Sequence, residues 1–269
     1  MIPFKIAASA GHGRGAALGL LLGAALWFAA PALYRWRSLE PVQKSASLRL
    51  ALLLTVAAAA GNVAQGLALA RLHAGVASVI LQTQLLWVAL LGWIWLRERV
   101  RPMLGIGLVL CLAGLSVMRG TDLYGLRLEG GVLWALLAAL GFAMMDITSR
   151  KHAARADSLV ANALRALLAA CLVALVPGSI GELMEMTPVQ LGALALAALL
   201  GPGAARQLLI MAARDLPASE SSLLQQLRPL IALPLASLWF GVWPRPQEWT
   251  GCVLILIGLG LPLLSPPRS

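Results

Sequence analysis

The chain reads as an all-α, polytopic membrane protein of about nine transmembrane helices arranged in two inverted-topology repeats. Three observations lead there. Its 269 residues are 60% hydrophobic and only 12% charged, whereas a soluble domain carries roughly 25% charged residues. Apolar runs of around 20 residues recur from end to end, each long enough to cross a hydrocarbon core of roughly 30 Å. The connections between those runs alternate in charge.

A short N-terminal tail, residues 1–14 ("MIPFKIAASAGHGR"), comes first. It is too short to cross and lacks the long apolar region of a signal peptide. The runs then predict helices over 15–34, 49–70, 75–96, 103–119, 130–149, 158–177, 189–212, 217–241 and 247–265. Twelve of the 21 basic residues share one side: Arg35, Arg37, Lys44 and Arg49, then Arg97, Arg99 and Arg101, then Arg150, Lys151 and Arg155, then Arg214 and Arg268. Six lie on the other, with Glu182 and Glu185 in one of its loops. The richer side is cytoplasmic by the positive-inside rule, which puts the N-terminus outside and the C-terminus inside. The net charge of +10 therefore reports orientation in a cell membrane. It does not report a nucleic-acid partner; the partner it implies is the lipid bilayer.

Enzyme chemistry finds no foothold. There is no HExxH, GxxxxGK or GxSxG, and His12, His73 and His152 are far apart, so neither a metal site nor a cofactor is expected. Cys111, Cys171 and Cys252 fall inside apolar runs without paired spacing, which predicts core packing.

The segment "ASVILQTQLLWVALLGWIWLRE" (77–98) resembles "SSLLQQLRPLIALPLASLWFGV" (221–242). At a constant offset of 144, Ser78 meets Ser222, Gln82 meets Gln226 and Trp95 meets Trp239. Gly105 and Gly114 meet Gly251 and Gly260 after a two-residue insertion. The first copy enters the membrane from outside and the second from inside. That predicts a first repeat over 15–119 with four spans and a second over 130–265 with five. Inverted repeats are the plan of many secondary transporters, whose sites lie near the midplane between the halves.

The stretch "LLGWIWLRERVRPMLGIGLVLCLAG" (90–114), with Glu98 at a helix end before a basic turn and a glycine-spaced helix, resembles EamA-type members of the drug/metabolite transporter superfamily. "ASESSLLQQLRPLIALPL" (218–235) is similar to the corresponding helix of their second half, with Pro229 on the mid-helix proline. Val242 departs from the pattern where a second glutamate is usual. The family has ten spans and this chain begins at what matches the second, so the expectation is either an upstream start or a nine-span variant. The resemblance implies efflux or exchange of amino acids, other metabolites or drug-like compounds, in a bacterial inner membrane. The alternative is a truncated paralogue or membrane assembly partner that keeps the fold without transporting.

Charged side chains inside a span are costly and usually face a cavity or a partner. Arg165, Arg206 and Arg228 sit at similar depth on three consecutive spans, beside the breakers "GPG" (201–203), Pro229 and Pro234. Such breaks free backbone groups that need polar partners. The expected substrate-binding residues are therefore Arg228, Arg206 and Arg165, with Gln226, Gln225, Gln82, Gln84 and Pro229, around a small molecule bearing an acidic group. For Arg165, snorkelling to the cytoplasmic interface is the competing reading. Asp146 is the one carboxylate well inside a span, hence the candidate for proton coupling; a local pair with Arg150 competes. Asn62 and Gln65 read equally as interhelical hydrogen-bonding groups. Trp87, near mid-span, reads as pathway lining, or as a lipid-facing or core packing residue. Gly15, Gly19 and Gly23 share one face, which predicts close helix packing, homodimerisation being one use among several.

Overall fold

The computed structural model describes residues 12–72, 77, 80–81, 83–97, 102–119, 130–216, 225 and 246–260. Among these no strand occurs. The helices are α1 (Gly13–Ser38), α2 (Pro41–Arg71), α3 (Gln84–Leu96), α4 (Pro102–Arg119), α5 (Gly130–His152), α6 (Ser158–Ala174), α7 (Ser179–Met184), α8 (Pro188–Ala212) and α9 (Pro246–Gly260). Four of them, α1, α2, the span beginning at Gly131 and α8, are long and apolar enough to cross a bilayer. Their outward faces carry residues such as Leu26, Leu33, Leu200 and Leu208, each more than half exposed, as lipid contact requires. The expected helix over 217–241 lies outside the described residues apart from Gln225.

The helices overrun the predicted spans where polar residues sit at the interface. Residues 35–48 were expected as a connection, yet α1 continues to Ser38 and α2 begins at Pro41. The cause is local. Glu40 and Gln43 form a capping box, and proline at the first helical position has no donor to lose. Arg35, Arg37 and Lys44 thus ride on helix ends, and Lys44 lies over the Trp36 ring at 5.6 Å. The span expected over 75–96 is interrupted at Thr83, whose hydroxyl donates to Ile80 O at 2.7 Å.

α1 packs against α6, and α4 against α9. The α1–α6 pair is antiparallel and is closed at both ends by a carboxylate that caps a helix. At one end Glu182 accepts from the backbone N–H groups of Arg14 and Gly15 (both 2.8 Å) and from Arg14 Nε (2.6 Å). At the other, Asp157 accepts from the N–H groups of Leu159 and Val160 (both 3.1 Å) and from Arg35 Nε (3.1 Å). A negative group at a helix N-terminus satisfies orphan donors and complements the dipole. At Asp157, Arg35 ties the α6 cap to α1, and at Glu182 the cap itself ties α7 to the α1 terminus. Gly178, at φ +85°, turns the chain into α7 directly against the Arg14 guanidinium, where a side chain would be both strained and obstructed.

The glycine stripe of α1 is consumed within the chain. Gly15 meets the backbone of Glu182 and Leu183, Gly19 meets Leu194, and Gly23 meets Ala198. These contacts seat α1 against α7 and α8. Cys171 departs from expectation: it is exposed on the outer face rather than packed in the core. Trp87 packs beside Val88, Ala143 and Ile147, which settles it as a packing residue.

The tightest crossing joins α1 and α2, where a Cβ on Gly66 would run into the carbonyl of Gly13. Because both obstacles are backbone, Gly66→Ala is expected to cost about 1–3 kcal/mol, read as a lower unfolding midpoint in detergent. Gly192→Ala, whose Cβ meets nothing within 4 Å, leaves the midpoint unchanged or slightly raised.

Candidate functional site

A cavity of about 380 Å³ opens between α2, α3, α5, α6 and α8. Its polar lining is Asn62, Gln65, Gln84, Arg165, Arg206 and Gln225. Alanine and leucine are the commonest residues on the buried faces of the helices that supply these groups.

Arg165 sits two turns into α6 and is 1% exposed. It does not snorkel. Its Nε and Nη2 donate to Asn162 Oδ1 (3.2 and 2.8 Å), and Nη2 also donates to Pro202 O (3.0 Å). Asn162, one turn earlier, is itself fixed because its Nδ2 donates to Gly203 O at 3.0 Å. Both carbonyls come from "GPG", where α8 passes through a π-helical segment, Leu199–Ala205, with Pro202 inside it. A proline there lacks its N–H and disturbs the regular ladder. The disturbed turn offers its carbonyls to side chains, and the arginine and asparagine of the neighbouring helix take them. The Nη1 group of Arg165 has no acceptor among the described residues.

Arg206, 9% exposed, follows the π segment directly. Its Nη1 donates to Asp146 Oδ1 at 2.5 Å, while its Nε and Nη2 have no acceptor among the described residues. Asp146 comes from α5 and is 8% exposed. Its second oxygen accepts from Gln84 Nε2 at 2.7 Å and from Gln225 Nε2 at 3.5 Å. The local pairing of Asp146 with Arg150 is therefore corrected. Asp146 bonds across the bundle, and Arg150 Nη1 donates to the carbonyls of Ala213 and Arg214 at 3.1 and 3.0 Å. Helical spacing alone had favoured the neighbour; the rotation of α5 decides otherwise.

The structure thus gathers four of the residues singled out in the sequence, Arg165, Arg206, Gln84 and Gln225, at one cavity, with Asp146 bonded to three of them. Gln82, Gln226, Arg228 and Pro229 lie outside the described residues. Asn62 and Gln65 also line the cavity, and the Asn62 amide bonds to Ala58 O of its own helix at 2.7 Å rather than to a neighbouring helix. Asn162 went unnoticed. An asparagine one turn before a buried arginine was the available signal.

Removing one member of the Asp146–Arg206 pair leaves a buried charge without its partner. Asp146→Asn and Arg206→Gln are each expected to destabilise by about 3–5 kcal/mol. The double variant should lose less than their sum, and a double-mutant cycle in denaturant unfolding reads the coupling.

The sequence pattern of the EamA-like transporter family matches residues 7–120 and 129–264. Over 95 residues the chain is 34% identical to the uncharacterized transporter YvbV of Bacillus subtilis (strain 168), a match covering 35% of this chain and 31% of that protein. The chain thus spans about a third of the length of the curated relative it matches. A crystal structure with 21% sequence identity superposes with a TM-score of 0.71 over 98% of this chain and 88% of its own, which shows the shared helical fold. Apolar spans, internal repeats and a family match over nearly the whole chain converge: this is a multi-pass membrane protein that belongs to the EamA-like transporter family.

Proposed function

We propose that this membrane transporter carries small carboxylate-bearing metabolites, amino acids among them, across the bacterial inner membrane by alternating access, in export or exchange. The observation that carries the reading is Arg165. It is a fully buried cation with no carboxylate in contact among the described residues, and one guanidinium edge unused by them belongs to a cavity. Arg206 adds further unused donors at the same cavity, because Asp146 occupies only its Nη1. Guanidinium donors in a planar fork match a carboxylate in a bidentate way.

The remaining lining suits the body of such a molecule. Leu20, Phe142, Met145, Leu200 and Leu209 supply an apolar wall, and pockets of this kind combine apolar surface with a few polar anchors. An inverted-repeat architecture supports alternating access, since exchange of conformation between the halves exposes a central site to either side in turn.

Purified protein in vesicles should take up labelled carboxylates and exclude the corresponding amines. Arg165→Gln should weaken apparent affinity about ten- to hundredfold, as expected for losing one charged hydrogen-bond donor to a carboxylate. Full uptake by a folded Arg165→Gln variant, or a substrate range that is strictly cationic, contradicts the assignment.

A further inference from the structure

We infer that Asp146 carries a proton in company with the transported anion, so that the two move in the same direction. The inference rests on the carboxylate reading above and deepens it by naming the co-transported ion. It comes from the wiring of the ion pair. Asp146 is the anion that Arg206 holds when the cavity is empty. Among the described residues, the charged donors left for an incoming carboxylate are Arg165 Nη1 and the Nε and Nη2 of Arg206. It must therefore settle beside an existing negative charge in a place shielded from water, where like charges repel strongly.

Protonation of Asp146 removes that repulsion. It also frees the Arg206 Nη1 donor, which then points its full charge at the substrate. The proton and the anion thus help each other bind, and linkage makes that help reciprocal. The surroundings of Asp146 leave no other described group for the task. α8 presents Arg206, α6 presents Arg165, and α3 presents the neutral Gln84. α2 presents the neutral Asn62 and Gln65, and the neutral Gln225 completes the ring. Arg150, one turn along α5, is turned to the carbonyls of Ala213 and Arg214.

Charge conservation fits the same scheme. Empty, the described cavity groups hold two guanidinium charges and one carboxylate charge. Loaded with a monoanion and one proton, they hold the same net charge. Loaded and empty forms then cross between the two orientations against the same electrical cost, and the complete cycle moves no net charge. The proton enters on an Asp146 oxygen from one aqueous side and leaves from the same oxygen to the other; no bond other than O–H forms or breaks.

The test uses the full chain in proteoliposomes holding a trapped pH-reporting dye, with N-acetyl-phenylalanine as the probe. Its carboxyl group titrates at about 3.5, so it stays ionised between pH 5.5 and 7.5. An imposed gradient of the probe should drive protons with it, one for one, and a clamped membrane potential should leave the flux unaltered. Binding of the probe should tighten as pH falls, and Asp146→Asn should abolish that dependence. Anion flux without proton movement, or binding that weakens at low pH, overturns the coupling while leaving the carboxylate reading in place. The absence of binding by any carboxylate at any pH overturns both.

Discussion

Two guanidinium groups are buried in a helical bundle whose outer surface meets hydrocarbon, and the local structure is organised around making that tolerable. An isolated ion in such a place costs several kcal/mol even after relaxation. Arg206 is matched by Asp146, whose other oxygen is held by Gln84 and Gln225. Arg165 receives no carboxylate. It is held by a side-chain carbonyl and by a backbone carbonyl that a proline-containing π segment makes available. The first solution neutralises a charge and the second only solvates one. Both leave donors at the cavity: Nη1 of Arg165, and Nε and Nη2 of Arg206.

The frame around the site is simpler. Small residues let α1 cross α2, α7 and α8 at close range, and the buried clusters are dominated by alanine and leucine. Within a bilayer, hydrophobic burial does little to hold helices together, so close packing and hydrogen bonds carry the load. The carboxylate caps at Glu182 and Asp157 follow the same logic at the two ends of the α1–α6 pair. Asp157 meets the donors of the α6 terminus and Arg35 of α1, while Glu182, reaching over from α7, takes both the backbone donors of the α1 terminus and the Arg14 side chain.

Much of this was legible in the amino-acid sequence. The helical membrane class follows from apolar length, and Arg165 and Arg206 stand out because a charge in a span must be accounted for. The helix break at 201–203 was legible too, including its need for partners, because proline lacks a donor. What stayed hidden depends on helix rotation. Asp146 has Arg150 one turn away along the chain and Arg206 sixty residues away, and only the packing of α5 against α8 chooses between them. Arg165 could in principle reach the interface along its own stem; the place of Asn162 and the turn at Pro202 prevents it. The extension of α2 down to Pro41 was readable from Glu40, Pro41 and Gln43, but the charged residues around them masked it as a loop.

The most direct test of an open anion site is calorimetric binding of an isosteric pair, N-acetyl-phenylalanine and its amide, to the purified protein. Nearly equal size and shape leave charge and fork geometry as the principal differences between them. If unused donors on Arg165 and Arg206 recognise a carboxylate, the acid binds and the amide binds at least about tenfold more weakly, a gap of roughly 1.4 kcal/mol or more. Equal affinity for the two, or preference for the amide, would contradict an anion site at these arginines.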